Sequence, residues 1–287
     1  DICGRVGMDT ISLGGTLAWA MEATEKGLYH SDLKFGEPET ISDILYEIAF
    51  QKGGHAELGV GSRALSEKYG GLDFAIHVKG LEMGAYDPRG SIGMGLNYAV
   101  ANRGACHLSS AIFGPEVFFK LLNPFTTRAK PGLVAFFENF YAALNSMHTC
   151  QFTAYAYTME PPIVKFTPAF LLKLLMQYLP DLTVQLLDIR LYPKLWSSIT
   201  GIPLRSRDFL LAGERVHILE RYMNTREGIN RKDDTLPGRL LMNPRADDKK
   251  RKMRVPLEKM LNYYYKIRGY DKNGVPKKSL LKKLDIL

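Results

Sequence analysis

The sequence lacks the features that define several common classes of protein. Its 3 cysteines, Cys3, Cys106 and Cys150, are widely spaced, and there is no CxxC pair and no HExxH motif. Cysteines this sparse cannot form a disulfide framework, which favours a reducing cytoplasm, and local motifs cannot supply a complete metal site. No run of about 18 apolar residues is present, so we expect no membrane-spanning helix and no membrane partner.

A signal peptide is also missing, and the first residue is Asp1 rather than methionine. The opening residues, DICGR, come directly before a helical pattern, which indicates a piece of a longer protein. The 287 residues are 46% hydrophobic and 24% charged. That composition is ordinary for a globular protein with one or two domains.

Positive charge is concentrated near the C-terminus. The formal net charge is +8, and basic residues greatly outnumber acidic ones between Arg245 and Lys283. The densest part, residues 249–254 (KKRKMR), fits either a nucleic-acid patch or a solvated loop before a helix. We favour the loop and expect no nucleic-acid partner, because no aromatic side chain that could stack on a base interrupts the run.

Helical periodicity dominates the chain. It predicts helices over residues 9–26, 42–51, 58–69, 134–146, 168–178, 205–226, 257–267 and 277–283. Strand-like alternation is confined to residues 74–78, and the many glycines and prolines of residues 80–95 predict irregular backbone packed against another surface. We therefore predict an all-α, multihelical fold with no sheet of more than about three strands. A boundary near Ile76 would divide it into residues 1–76 and 77–287.

Six short motifs follow one another in the order and spacing that one family of enzymes shows. They are residues 7–12 (GMDTIS), 14–22 (GGTLAWAME), 85–90 (AYDPRG), 102–107 (NRGACH), 232–237 (KDDTLP) and 264–270 (YYKIRGY). In order and spacing they resemble the aldehyde ferredoxin oxidoreductase family, whose members carry tungsten or molybdenum on two pterins. The resemblance implies that residues 1–76 are the second half of a helical middle domain and that residues 77–287 are a helical last domain. The family's N-terminal pterin-cradling domain has no counterpart in this sequence.

The resemblance also implies an activity. Members oxidise an aldehyde to a carboxylic acid and pass electrons through a [4Fe–4S] cluster to ferredoxin, and they are expected to be homo-oligomers in the cytoplasm. Both cofactors require the N-terminal part. Two other interpretations stay open: an enzyme on the same scaffold acting on a hydroxy acid or an aromatic thioester, and a non-catalytic helical scaffold that binds a partner chain.

Cys150 is the expected metal ligand. It corresponds to the cysteine of the family's Asp-x-x-Gly-Leu-Cys stretch, which is the fourth thiolate of the cluster. The pterin-binding positions of that stretch hold Asn145 in place of aspartate and Thr149 in place of leucine. A lone cysteine after a helix is otherwise an ordinary small buried residue.

The twin stretch near the start, Asp-x-x-Gly-Leu-Asp in the family, reads GRVGMD here. Its first aspartate is replaced by Gly4, while Met8 and Asp9 occupy the last two positions. The resemblance makes Met8 and Asp9 candidate pterin contacts. In each of the two stretches, the aspartate that would hydrogen-bond a pterin is therefore absent, replaced by Gly4 in one and by Asn145 in the other.

His107 is the expected catalytic residue. It ends a run of small residues that lets backbone approach a bulky group, and an imidazole can both give and take a proton near neutral pH. The resemblance places it beside the metal, with Tyr86 facing the same cavity as a substrate hydrogen-bonding group. Ser109 stands where the family has a pterin-contacting lysine. We expect His107 and Cys150 to converge on the side that the missing domain would cover, and residues 80–107 to expose an apolar face there.

Two further motifs are expected to be structural. Arg89 is expected to anchor its loop electrostatically. The adjacent Asp233 and Asp234 are interpreted as a loop cap or an ion pair rather than as acid–base groups.

Overall fold

Helices make up almost all of the regular secondary structure in a computed structural model that describes residues 1–159 and 165–287. Its helices are α1 Ile2–Val6, α2 Thr10–Glu25, α3 Ile41–Phe50, α4 Ser62–Tyr69, α5 Ile92–Val100, α6 Lys130–Ser146, α7 Thr153–Met159, α8 Ala169–Tyr178, α9 Pro180–Leu186, α10 Leu191–Thr200, α11 Ser206–Arg226, α12 Gly238–Met242, α13 Leu257–Arg268 and α14 Lys278–Lys283. Single turns of other helix types lie at Ala56–Val60, Gly114–Phe118 and Arg231–Asp233. The strands β1 His77–Val78 and β2 Leu81–Glu82 form an antiparallel pair, with His77 opposite Glu82. The all-α prediction is confirmed.

Most predicted helices lie within a few residues of their expected bounds, and the departures have local causes. The helix predicted over 58–69 is interrupted at Gly61, whose φ of 88° ends a 3₁₀ turn before α4 begins. Residues 80–95 are not irregular throughout, because α5 starts at Ile92 in spite of the glycines at 93 and 95. Those glycines allow close packing: a Cβ at Gly95 would lie 2.5 Å from Val255. Among the described residues, no helix is long and apolar enough to cross a membrane.

Buried apolar side chains form two clusters. One contains buried residues from Cys3 to Ala75, and the other contains buried residues from Val78 to Leu284. The carboxylate of Glu82 joins segments on either side of this division, because it accepts hydrogen bonds from the backbone N–H and the hydroxyl of Ser62, both at 2.8 Å. The domain boundary near Ile76 stays a prediction.

Every residue of α5 is buried, so the expectation of an exposed apolar face over residues 80–107 is wrong. This helix packs against α6 and α13 inside the larger cluster. Large apolar side chains are instead exposed between residues 117 and 202. Examples are Phe118, Phe152, Phe166, Phe170 and Ile199.

Helices α6 and α11 cross at very short range, and the crossing depends on a glycine. A Cβ placed on Gly213 would lie 1.8 Å from the carbonyl oxygen of Asn139 and 2.8 Å from the backbone nitrogen of Ala143. Both of these atoms belong to backbone and cannot rotate away. The two helices that flank the candidate site can therefore approach this closely only with glycine at position 213.

The predicted ion pair at Asp234 is confirmed. Its carboxylate is fully buried, accepts two hydrogen bonds from Arg221 at 2.8 and 2.7 Å, and lies 2.9 Å from Nζ of Lys79. The neighbouring Asp233 accepts from the backbone N–H of Asn230 at 2.8 Å and so caps a turn, as expected.

The expectations for Arg89 and for the basic run near the C-terminus are confirmed. Arg89 pairs with Asp87 at 2.7 Å and donates to the carbonyl of Asn243 at 3.1 Å, which anchors the loop. Residues 249–252 are exposed and precede α13 in a loop, as predicted.

Candidate functional site

A cleft of about 900 Å³ opens between α6 and α11. Loops around residues 102–109 and 150–152 form its other walls. The charged and polar residues that line it are Asn102, Arg103, Ser109, Glu138, Asn145, Ser146, Gln151, His217, Glu220 and Asn224. Cys106 and Cys150 line it as well, so two of the three thiols face one space.

At its inner end the cleft meets a buried network centred on Glu138. Oε2 of this carboxylate accepts hydrogen bonds from the hydroxyl of Tyr264 and from Nη2 of Arg268, both at 2.6 Å. Nε2 of His217 lies 3.3 Å from the Tyr264 hydroxyl and 3.7 Å from the same Glu138 oxygen. Oε1 of Glu138 is buried and has no hydrogen-bond partner.

Burial sets the protonation of this network. It raises the pKa of the Glu138 carboxyl, although the Arg268 guanidinium and the Tyr264 hydroxyl work in the opposite direction. Burial also lowers the pKa of His217 well below its ordinary value of 6.5, and the positive charges of Arg268 and Arg221 lower it further. His217 is therefore a neutral imidazole at neutral pH.

Asn102 joins the motif at residues 102–107 to α11. Its side-chain N–H₂ donates to the backbone carbonyl of His217 at 3.0 Å and to Oε2 of Glu220 at 3.1 Å. The backbone carbonyl of Asn102 accepts a hydrogen bond from the side-chain N–H₂ of Asn224 at 2.7 Å. The motif that carries the family resemblance is thus fixed to the wall of the cleft.

Three predicted site residues lie on this cleft. Asn145 and Cys150 are exposed and Ser109 is half-buried. Oδ1 of Asn145 accepts from Nε2 of Gln151 at 3.0 Å, and Thr149 follows the end of α6 with its N–H directed to the carbonyl of Leu144 at 3.4 Å. Asn145, Gln151 and the accessible thiol of Cys150 therefore line one cleft.

His107 and Tyr86 lie together in a separate group of rings. Their centroids are 5.6 Å apart, and Tyr86 also stacks on Phe113 at 4.6 Å. Gly84 lies beside this group. A Cβ at this position would be in ordinary van der Waals contact with Nδ1 of His107, at 3.5 Å. Burial and the charge of Arg103 lower the pKa of His107, while Asp9 raises it.

The carboxylate whose charge raises the pKa of His107 belongs to Asp9. The aspartate is exposed and caps α2, where its Oδ1 accepts from the N–H groups of Ile11 at 2.9 Å and Ser12 at 2.7 Å. Met8 is half-buried against the smaller core cluster. Asp9 therefore has a structural role whether or not a cofactor contacts it.

The predicted site residues do not form one group. Ser109, Asn145 and Cys150 line the cleft, His107 and Tyr86 belong to the ring group, and Asp9 caps α2. Residue 106, next to His107, lines the cleft, but His107 does not. The convergence of His107 and Cys150 stays a prediction.

Sequence reasoning missed Glu138, His217 and Asn102 as cleft residues. A carboxylate inside the apolar stretch of α6 was a signal, because Glu138 lies seven residues before Asn145 and so shares its helix face. Nothing local pointed to His217, which approaches Glu138 only through the crossing of α6 and α11.

Metal ligands are scarce in the part of the chain that the structure describes. No group of three His, Cys, Asp or Glu side chains there could hold a metal ion. Cys3 and Cys106 are buried, and Cys150 is the exposed thiol. Cys150 is therefore the thiol that a ligand can reach from solvent.

Comparisons with known proteins agree with the sequence motifs. Residues 1–286 match the family described as aldehyde ferredoxin oxidoreductase, domains 2 & 3. The chain is similar to a tungsten-containing aldehyde ferredoxin oxidoreductase of Pyrococcus furiosus, with 32% identity over 291 residues covering 97% of this chain and 43% of the relative. A protein of the same description from Thermococcus kodakarensis is 31% identical, covering 95% of this chain and 42% of the relative. The chain thus spans less than half the length of these relatives.

The fold resembles a solved structure of the active-site complex of benzoyl coenzyme A reductase with 1,5-dienoyl-CoA. The TM-score is 0.65 at 19% identity, and the match covers 100% of this chain and 46% of the other. At this identity the likeness concerns the fold alone.

Proposed function

The chain belongs to the aldehyde ferredoxin oxidoreductase family, and we propose that it forms the second and third domains of an enzyme that oxidises an aldehyde to a carboxylic acid. The observation that carries this proposal is the family match over residues 1–286. In the proposed reaction an aldehyde and water give a carboxylic acid, two protons and two electrons. A [4Fe–4S] cluster, when bound, would supply the path by which these electrons reach ferredoxin.

Cofactor binding is proposed for two sets of residues. Oε1 of Gln151 is buried without a partner, and with Asn145, Thr149 and Ser109 it offers neutral polar groups that fit the N–H edge of one pterin. Met8 and Asp9 would contact the other pterin. The cofactor, with tungsten or molybdenum, supplies the redox chemistry when bound. Cys150 would provide one cluster thiolate, and the other ligands would come from another part of the protein.

His107 is proposed to accept the proton released when water adds to the aldehyde carbonyl. Its lowered pKa supports this role, because a neutral ring is the form that can take a proton at neutral pH. The stacked Tyr86 positions the imidazole and could donate a hydrogen bond to the substrate oxygen. Phe113, stacked on Tyr86, adds an apolar ring to this group.

The test uses the longest native polypeptide that contains this chain. Metal analysis should find tungsten or molybdenum, and aldehyde oxidation with a dye acceptor should fall about 100-fold or more in His107→Ala with metal content unchanged. His30→Ala replaces an exposed histidine outside the site and serves as the matched control. Full activity in His107→Ala would contradict the proposed proton transfer, and absence of metal from the native protein would favour the non-catalytic scaffold.

An aromatic thioester is the second candidate substrate, since the fold likeness to benzoyl coenzyme A reductase is compatible with it. A hydroxy acid is the third. A panel of aldehydes and hydroxy acids assayed with the oxidised dye as electron acceptor, and of aryl thioesters assayed with the reduced dye as electron donor, separates these possibilities.

We also propose a cytoplasmic homo-oligomer. The exposed apolar side chains between residues 117 and 202, such as Phe166 and Phe170, support association with another surface. Sedimentation of the native protein as a monomer would contradict it.

A further inference from the structure

A pocket of about 390 Å³ lies at the other end of α6 from Asn145 and Cys150. The start of α6 and the loop before it contribute Thr127, Arg128 and Gly132, and the outer surface of α13 contributes most of the remaining wall. Gly132 and Asn145 are thirteen residues apart on one helix, which places the pocket about 20 Å from that end of the cleft. A volume of this size accommodates a small organic molecule.

Helix α13 presents the pocket with a stripe that changes from cationic to apolar. Lys259, Tyr263 and Ile267 follow one another at intervals of four residues, so they share one face of the helix, and all three are exposed. The stripe is about 12 Å long. Met260, which is fully buried, adds an apolar group to the same pocket. This wall suits a ligand that is charged at one end and apolar at the other.

The cations of the pocket lack counter-ions. Neither Arg128 nor Lys259 forms an ion pair with any residue that the structure describes. Elsewhere on the surface, exposed arginines such as Arg190 and Arg205 pair with a nearby aspartate. The described residues that line the pocket include no aspartate or glutamate. Two cations that face one cavity without an acidic residue attract an anion.

The donors around the pocket fit a carboxylate. The guanidinium of Arg128 lies over the ring of Tyr178, 4.2 Å from its centre, which limits the rotation of this side chain and leaves its N–H groups for a planar acceptor. The hydroxyl of Thr127 likewise has no hydrogen-bond partner among the described residues. A carboxylate has two oxygens that can accept from such donors.

We propose that this pocket binds a small monocarboxylate with an aryl or short alkyl body. The carboxylate pairs with Lys259 and Arg128, and the apolar body packs against Tyr263 and Ile267. None of these residues takes part in the proposed aldehyde oxidation, so the inference does not depend on that reaction. Its test is therefore direct binding.

Three probes separate the effect of the charge from that of the apolar body. Hydrocinnamate carries both, hydrocinnamamide keeps the body without the charge, and acetate keeps the charge without the body. Isothermal titration calorimetry on the longest native polypeptide that contains this chain should show hydrocinnamate binding at least about tenfold more tightly than either of the others. Affinity for hydrocinnamate no higher than for its amide or for acetate, or no hydrocinnamate binding at millimolar concentration, would overturn the proposal.

Lys259→Gln shows whether the probe binds in this pocket. It removes one charge from the wall and should weaken hydrocinnamate binding about tenfold without changing the affinity for hydrocinnamamide, and Lys259→Arg should restore the wild-type value. Lys282→Gln makes the same change on an exposed lysine of α14 outside the pocket and should have no effect.

These variants should fold, because Lys259 is exposed and has no ion-pair partner among the described residues, and circular dichroism checks this. Hydrocinnamate binding that is as tight in Lys259→Gln as in the wild type would place the probe at another site and overturn the proposal. An equal loss of hydrocinnamate and hydrocinnamamide would show that the charge of Lys259 recognises nothing, with the same consequence.

Discussion

Replacing Gly213 with alanine should destabilise the protein, although alanine is normally the better helix former. The added Cβ would lie 1.8 Å from the Asn139 carbonyl oxygen, while real Cβ atoms essentially never approach other atoms closer than 3.0 Å. Helix α11 would have to move about 1.2 Å away from α6. Because the opposing atoms belong to backbone, no side-chain rotation can relieve the contact.

The magnitude follows from two opposing effects. Overpacking of a close contact costs about 3 kcal/mol at the upper end of its usual range, and removing glycine from a helix interior returns about 1 kcal/mol. The expected net loss is about 2 kcal/mol in the free energy of unfolding. The same movement of α11 should shift His217 relative to Glu138 in the cleft, since His217 lies one helical turn after Gly213 and meets Glu138 across the crossing.

Urea unfolding followed by circular dichroism at 222 nm measures this loss. Gly132→Ala in α6 is the matched control, because a Cβ there meets no atom within 4 Å and should leave stability unchanged or raise it by about 0.5 kcal/mol. If Gly213→Ala were as stable as the wild type, the close crossing of α6 and α11 would be incorrect.

Two other predictions concern pH and iron. Burial lowers the folded-state pKa of His217. The folded-state pKa of Asp234 is also lowered, because Lys79 and Arg221 outweigh the opposing effect of burial. Both groups therefore bind protons more readily in the unfolded chain. The urea concentration at the unfolding midpoint should therefore fall as the pH drops below 6.5, and fall again in the acid range where aspartate titrates. A midpoint that rises on acidification would contradict these lowered pKa values. The 287-residue chain purified alone should lack stoichiometric iron and sulfide, because one thiolate cannot hold a four-thiolate cluster. Cys150→Ser should therefore leave its metal content unchanged. A visible cluster spectrum in the wild-type chain that is lost in Cys150→Ser would refute this.

The local pattern of the sequence was sufficient for most of the helices. Apolar residues recurring at threes and fours located α2, α3, α6, α11 and α13, because this period depends only on neighbours within two turns. It failed at α5, where glycines ordinarily typical of loops allow a fully buried helix to pack closely on its neighbours. The short motifs from GMDTIS to YYKIRGY identified the family, and the match over residues 1–286 confirmed that identification.

Site residues divide in the same way. The sequence by itself singled out His107 and Cys150, and it limited Asp233 and Asp234 to a loop cap or an ion pair, since each belongs to a motif with a recognisable chemical type. The partners of Asp234, Lys79 and Arg221, come from distant segments and could not be read from spacing.

Only the tertiary structure decided that Glu138, His217 and Asn102 form one end of a cleft. These residues are far apart in the chain, and no periodicity links them. They meet because Gly213 lets two helix backbones come together, and the shape of that crossing depends on packing between surfaces that a local sequence pattern does not encode.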